Sequence, residues 1–307
     1  MRTSIVKKIV DYYKRGGVSL IMGKILRCAL LSFRNKLGEV LFAKLETFFM
    51  LGYWPNLKRP KSFNEKICFR KLYVPHPLSN LVCDKWAVRD YVLEKTDRPD
   101  ILTTVYYIGN DPEDIDFKKL PPKFVIKATH GSGWNVFVTD IAKINKNEII
   151  KKCYVWLQSK YSLASGNVSE KHYDKIVPKI LIEEFIEDPI FKVPLDYKFF
   201  CFHGKAKYIQ VDIDRYNNHQ RIFYDINWHE IDLRLCYLKG KGINKPSNLS
   251  EMVYLAEKIA QEFDFCRVDF YCIKNKRVLF GEITLAPESG LGRFYPREWD
   301  YRLGQLW

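Results

Sequence analysis

Three charged side chains near the end of this 307-residue sequence carry the most chemistry: Arg267, Asp269 and Glu282. They lie in or beside two apolar runs, 268–273 and 277–284, which flank a short Lys-Asn-Lys turn and so read as a hairpin. Alternation puts Arg267, Asp269 and Tyr271 on one face of the first strand, with Val268, Phe270 and Cys272 opposite. Glu282 and Thr284 share a face of the second. If register makes these faces coincide, two carboxylates converge beside a guanidinium. Adjacent carboxylates repel and call for a cation, and a hard divalent ion with oxygen ligands suits them. Neutralising either one is then expected to relieve repulsion in the metal-free protein. The alternative is the exposed polar face of an ordinary hairpin.

A second group precedes it. Pro121-Pro122 opens a strand, 124–129, a glycine turn of Gly131, Ser132 and Gly133, and a strand, 134–139. Lys127 sits inside the first strand, where a buried ammonium needs an anionic partner. The two glycines let backbone N–H groups approach a phosphate closely. No GKS or GKT follows, so this is not a Walker A loop. Further upstream Asp84 opens a helix, DKWAVRDYVLEK, with Trp86, Ala87, Tyr91 and Val92 as its buried side. Lys85 and Arg89 then lie at i, i+4 on one face.

The elements that must position these residues follow in order. Residues 1–50 read as basic amphipathic helices, broken at Gly16-Gly17. They suit either an anionic lipid surface or packing on the rest of the chain, and packing is preferred. Ser62 and Glu65 form a capping box for a helix to about Tyr73. A helix spans 147–160, and the polar stretch 161–173 reads as a mobile loop. KILIEEFIED (179–188) is a strand ending in acids, and strands 196–204 and 205–214 meet at His203-Gly204. Residues 215–248 read as irregular, with Arg215 and Arg221 available to anions. A helix, 248–263, leads into the hairpin.

Composition bounds the partners. Hydrophobic content of 47% and a net charge of +14 describe a globular chain that favours anions such as nucleotide phosphates, nucleic acid or acidic membrane. Eight scattered cysteines without a CxxC pair fit a reducing cytoplasm and argue against zinc. The N-terminus, broken by charges, does not read as a secretory signal, and no window spans a membrane uncharged. The six histidines lack metal spacing, and no GxSxG elbow supports a serine triad.

In this order, FNEKI, DKWAVRDYV, FVIKATHGSG, ILIEEFIED, DYKFFCFHGK, CRVDFY and GEITLAPESG resemble the TupA-like ATP-grasp family of bacterial surface-polysaccharide loci, over roughly residues 55–302. The resemblance implies an α+β ATP-grasp fold, two subdomains sandwiching ATP, behind an N-terminal helical region. It divides the chain into 1–54, a helical or mixed region 55–122, and an ATP-grasp domain 123–307 with subdomains of about 123–186 and 187–307. It implies ATP and Mg2+. Lys85 and Lys127 would meet the phosphates, and Gly131, Ser132 and Gly133 would close over them. Glu183, Glu184 and Ile186 would hold adenine, mainly through backbone groups, and Asp196 the ribose hydroxyls. Asp269 and Glu282 would be the magnesium ligands, and Arg267 would stabilise the reacting carboxyl. Many ligases have Asn where this chain has Thr284, a weaker ligand for a second metal.

The expected function is an ADP-forming, cytoplasmic ligase that joins a carboxylate-bearing glycan or glycan precursor to an amine through an acyl phosphate. A peripheral contact with anionic membrane is compatible, and no nucleic acid is expected as a partner. A polysaccharide glycosyltransferase, or a non-catalytic module binding glycan-lipid or nucleic acid, is the alternative. The nucleotide site is expected to be independent of the first fifty residues, which precede every motif.

Overall fold

Glycines shape the N-terminal helices. In the computed structural model, which describes residues 5–164, 170–188, 194–215, 218–274 and 276–307, α1 (Ile5–Ser32) bends at Gly16 and Gly17, where the backbone leaves helical angles. The expected break is thus a kink. Helix α2 (Glu39–Leu51) ends on Gly52 in the left-handed region, φ 78°. The two helices cross at Gly23, where a Cβ would come within 2.3 Å of the Phe49 carbonyl oxygen. The segment packs on the body of the chain. Arg15 Nε donates to the Cys236 carbonyl at 2.7 Å, and Arg293 Nη1 donates to Ser19 Oγ at 2.9 Å.

Helix α3 (Phe63–Leu72) starts at the expected capping box. Ser62 Oγ accepts from the Glu65 N–H at 3.2 Å, and Glu65 Oε2 accepts from the Ser62 N–H at 3.0 Å. After α4 (Ser79–Cys83), helix α5 (Val88–Thr96) begins later than the sequence suggests. Asp84 Oδ1 accepts from the N–H groups of Trp86 and Ala87 at 2.8 and 3.3 Å, which caps a turn. Lys85 therefore lies ahead of the helix and does not share a helical face with Arg89. Val88, Tyr91 and Val92 are buried, whereas Trp86 and Ala87 are only partly so.

The smaller sheet holds β1 (Val105–Gly109), β2 (Phe124–Ala128), β3 (Asn135–Val138) and β4 (Ile180–Glu184), in the order β1-β4-β2-β3 with every pair antiparallel. Helix α6 (Lys146–Gln158) covers it, setting Ile149, Cys153 and Trp156 against Phe124, Ile126, Ile180 and Ile182. The stretch read as a polar loop begins instead with a helical turn, α7 (Tyr161–Ala164), in which Tyr161 and Ser162 are buried. Residues 165–169 of that stretch lie outside the described residues.

The larger sheet is built from β5 (Asp196–Phe202), β6 (Lys205–Ile213), β7 (Gln220–Asp225), the short β8 (Glu230–Ile231) and, after β9 (Arg234–Leu235), β10 (Leu238–Lys239), then β11 (Phe265–Ile273) and β12 (Arg277–Thr284). Its order is β10-β7-β6-β5-β11-β12, with β8 beside β7; β9 pairs with β13 (Phe294–Tyr295). The region read as irregular thus contains β7, an inner strand. Its polar ends, Gln220, Arg221 and Asp225, hide the buried Ile222, Phe223 and Tyr224.

The two faces of this sheet differ. Tyr197, Phe199, Cys201, Val268 and Phe270 meet α8 (Leu249–Ala260) and α5 in one core. On the other face Phe200, Phe202, Phe223 and Phe265 meet Phe63 of α3 and Trp299 and Leu303 of α9 (Glu298–Gln305). Phe63 stands edge-on to Phe265 with centroids 4.8 Å apart. At its far end the same face turns polar, and there the chemistry gathers.

Gly23→Ala tests the docking of α1. The methyl group must displace the Phe49 carbonyl, an overpacking cost of about 1–3 kcal/mol. A lower melting temperature and faster proteolysis within α1 are expected; an unchanged melting temperature would show that α1 does not rest on α2 at this point.

Candidate active site

Register assembles the charged face. Asp269 of β11 lies opposite Glu282 of β12 on one side and Lys198 of β5 on the other, and Lys198 lies opposite Gln210 of β6. Two residues along the strands, on the same face, Asp196 lies opposite Tyr271 and Asp212, and Asp212 opposite Arg221. The condition set by the sequence is met, since the two carboxylates share a face. A bulge beyond Asp269 shifts the pairing so that Phe270 meets Phe280.

Lys198 is the residue the sequence reading missed. Its Nζ donates to Asp269 Oδ2 at 2.5 Å and lies 2.6 Å from Asp196 Oδ2, with all three side chains buried. Arg215 Nη1 also reaches Asp196 Oδ2, at 2.5 Å. Arg221 is buried between Asp212 and Glu288, at 2.7 and 2.6 Å. Neither arginine is the freely available anion ligand expected from the sequence. Lys198 had a signal of its own, an ionisable residue two positions from Asp196 in an otherwise apolar strand.

The carboxylates are surrounded by cations. Arg267 Nε and Nη2 donate to the two Asp269 oxygens at 2.7 Å each, and Nη2 also reaches Glu282 Oε1 at 3.2 Å and Thr284 Oγ1 at 3.0 Å. Burial raises the pKa of Asp269, although Arg267 and Lys198 oppose it. Glu282, whose side chain is 52% exposed to the cavities, behaves differently. Desolvation works against its charged form, yet Lys198, Arg267, Lys85 and Arg215 together hold it down to about 2. At Glu282 the expected repulsion is thus outweighed by the surrounding cations, so neutralising Glu282 is not expected to stabilise the protein, whereas at Asp269 burial still disfavours the charge.

A cavity of about 500 Å3 lies between the two sheets, within the range of ligand pockets. Lys85, Lys127, Ser132, Gly133, Glu183, Glu184 and Ile186 line it from the small-sheet side, and Asp196, Lys198, Asp269 and Glu282 from the other. Lys127 pairs with Glu183, which also accepts from Thr103 Oγ1 at 2.9 Å. Burial opposes the charge on Glu183, but Lys127, Thr103 and Arg89 keep its pKa below the usual range. Glu184 is paired with Arg277 at 2.7 Å. Both glutamate side chains are thus committed to protein partners. Lys85 Nζ donates to the carbonyls of Ala128, at 3.1 Å, and Gly131. Burial lowers this ammonium to about 8, with Glu282 opposing and Lys127 assisting the shift.

Gly131 does not line the cavity. A Cβ there would meet Tyr161 and Trp134 at 2.8 and 2.9 Å, so aromatic crowding demands its glycine. Gly133 does line the cavity and has φ +73°, which only glycine adopts without strain.

A second cavity, of about 430 Å3, shares Ser132, Lys198, Arg215 and Glu282 with the first. Arg267 lines this one, and its Nη1 has no acceptor among the described residues.

The donor set fits magnesium. Mg2+ is commonly held by one or two carboxylates plus phosphate oxygens and water rather than by a full protein cage. Asp269 and Glu282 supply two in register, and Glu282 Oε2 accepts no hydrogen bond from the described residues. Among those residues no group of three or more His, Cys, Asp or Glu side chains forms a cage. Thr284 Oγ1 is already engaged, accepting from Arg267 and donating to Glu282 Oε1 at 3.0 Å.

An antiparallel sheet and a mixed sheet closing on a charged cleft define an ATP-grasp protein, and the sequence agrees. The chain matches the model of the TupA-like ATP-grasp family over residues 65–307 and belongs to that family. ATP-grasp ligases use ATP with Mg2+. No curated protein matches the sequence. Solved structures similar to it include the D-alanine–D-alanine ligase of Bacillus anthracis (16% identity, TM-score 0.41, 71% of this chain and 66% of that one). Others are the ATP-grasp ligase PsnB complexed with a minimal precursor (11%, 0.38, 88% and 68%) and the ADP complex of N5-carboxyaminoimidazole synthetase from Staphylococcus aureus (13%, 0.39, 67% and 45%). The chain spans 66%, 55% and 44% of the first three structures it matches.

Glu282 gives a pH test. Its folded pKa lies below the unfolded value, so its charge stabilises the fold above about pH 4.5, and this contribution is lost as pH falls toward about 2. Glu282→Gln is expected to melt below the parent at pH 7, with the gap shrinking between pH 5 and about pH 3. A variant more stable than the parent at pH 7 would restore the repulsion account.

Proposed function

We propose that the protein is an ATP- and Mg2+-dependent ligase that joins a carboxylate to an amine through an acyl phosphate. One substrate is a glycan or glycan precursor bearing a uronic-acid-type carboxylate, and the other is an amino acid or similar amine. The setting is bacterial capsule or surface-polysaccharide biosynthesis, and a reaction that consumes ATP is placed in the cytoplasm. The observation that carries this reading is the junction of the two cavities at Lys198, Arg215 and Glu282, with Ser132 above it. A nucleotide in the first cavity can there present its terminal phosphate to a carboxylate in the second.

In this scheme Lys85 and Lys127 face the phosphates, and Ser132 and Gly133 offer backbone N–H groups. Residues 183–186 border adenine, their backbone serving because the glutamate side chains are committed. Asp196 Oδ1, buried without a donor among the described residues, accepts from a ribose hydroxyl. Asp269 and Glu282 would hold Mg2+, which supplies positive charge at the transferring phosphoryl group. Arg267 Nη1 orients the carboxylate. A carboxylate oxygen attacks the γ-phosphorus and ADP leaves; the amine nitrogen then attacks the acyl carbon, loses a proton, and phosphate leaves. Lys198 and Arg215 offset charge that gathers on the phosphoryl oxygens. No protein nucleophile is required.

A peripheral membrane contact belongs to the same proposal. Ile5, Val6, Ile9 and Val10 of α1 are exposed among Lys7, Lys8 and Lys14, a surface suited to anionic lipid. Among the described residues no helix is long and apolar enough to cross a membrane.

Incubation with ATP, Mg2+, a uronate and hydroxylamine tests the chemistry, because hydroxylamine converts an acyl phosphate to a hydroxamate. ADP and hydroxamate are expected; nucleoside diphosphate released from a sugar donor would instead support the glycosyltransferase reading. Asp269→Asn is expected to lower ADP release by about 100-fold or more. Arg267→Lys should keep near-normal ATP affinity and slow hydroxamate formation, since lysine cannot reproduce the planar fork. Parent-like turnover by a folded Asp269→Asn protein would contradict the scheme.

The full-length protein is expected to sediment with anionic vesicles and not with neutral ones. Ile5→Glu combined with Ile9→Glu should abolish this; equal sedimentation of parent and variant would remove α1 from the contact.

A further inference from the structure

The second cavity has a wall outside the family match, which begins at residue 65. Arg15, Lys24 and Arg27 of α1 close it opposite Arg221 and Arg267. In all, eight Lys or Arg and four Asp or Glu side chains line it among the described residues. Two of the α1 cations are fixed by protein acceptors. Arg15 donates to Asp11 at 2.8 Å and to the Cys236 carbonyl at 2.7 Å, and Arg27 donates to Glu46 at 2.6 Å.

Lys24 is held differently. Its ammonium is partly buried, has the Tyr12 ring at 5.7 Å, and has no carboxylate within ion-pair distance among the described residues. Burial lowers its pKa first, and Arg27 and Arg15 lower it further, against weaker support from Cys236 and Glu288. An ammonium placed in this way gains from an incoming anion. The carboxylate to be activated is already provided for by Arg267, which lines the second cavity beside the junction residue Glu282, so the α1 cations serve a different group. Fixed guanidinium forks beside a lysine match the tetrahedral oxygens of a phosphate ester.

Resting on the ligase reading, we propose that the carboxylate substrate also carries a phosphate ester, held by Lys24 between Arg15 and Arg27. The substrate would then be a phosphorylated or phosphate-linked sugar acid rather than a free one. Helix α1 becomes part of the acceptor site, while the nucleotide cavity has no α1 residue in its lining. Tyr237 and Tyr295 also line this cavity, and the Arg15 guanidinium stacks on the Tyr237 ring at 3.9 Å, which helps to fix it.

The test is calorimetry on the full-length protein saturated with a non-hydrolysable ATP analogue and Mg2+, so that the nucleotide cavity is filled. The probes are glucose 1-phosphate, farnesyl phosphate and glucuronate. At least one phosphate ester should bind, more tightly than glucuronate. Lys24→Gln should weaken that binding by about tenfold or more, Lys24→Arg should largely keep it, and both should bind the ATP analogue like the parent. Preference for glucose 1-phosphate identifies a soluble sugar phosphate as the source, and preference for farnesyl phosphate a lipid-linked one. No binding of either ester at millimolar concentration, or binding unchanged in Lys24→Gln, overturns the inference and leaves the ligase reading intact. Failure of the parent to bind the ATP analogue overturns the ligase reading, and this inference with it.

Discussion

A lysine ammonium buried between two aspartates fixes the geometry on which this site depends. Lys198 cannot be removed from Asp196 and Asp269 without leaving charge in a poorly solvated place. Breaking such a buried pair costs about 3–5 kcal/mol, whereas forming it contributes far less, because desolvation consumes most of the attraction. The network is therefore better understood as a device for position than as a source of stability. It sets β5 against β11 in one register, and that register places Asp269 opposite Glu282 and turns Arg267 toward the second cavity.

The charges can be buried because the rest of the face is so apolar. Phe63, Phe200, Phe202, Phe223 and Phe265 fill one end of the large sheet, and α8 fills the other side. A rigid sheet then presents alternate side chains of β5, β6, β7, β11 and β12 as a fixed array of donors and acceptors. The small sheet contributes Lys127 and Glu183 from neighbouring strands, and Lys85 ties the glycine turn to the same cleft. Positive charge in the cleft is thus set in place by the fold before any phosphate arrives, which is the arrangement that lowers a phosphoryl-transfer barrier.

Much of this was legible in the sequence where the signal is local. The capping box at Ser62, the lysine strand with its glycine turn, and the final hairpin each depend on residues a few positions apart. Signals that depend on neighbours across a sheet were not. Lys198 reads as one charge in an apolar run until β11 lies beside it. Glu183 reads as a hinge residue until β4 pairs with β2 and brings Lys127 against it. Strand β7 was hidden by polar ends that serve buried ion pairs. The role of α1 in walling a cavity depends on packing between residues more than two hundred positions apart, as in the contact of Arg15 with Cys236, and no periodicity within α1 encodes it.

The central claim is that the cleft between the sheets receives the phosphates of ATP with Mg2+. Calorimetric titration of ATP, with and without Mg2+, into the parent and into Lys127→Ala tests this most directly. The account predicts Mg2+-dependent binding by the parent, weakened by about tenfold or more in the variant. Equal affinity for ATP in a folded Lys127→Ala protein, or binding by the parent that is indifferent to Mg2+, would contradict it.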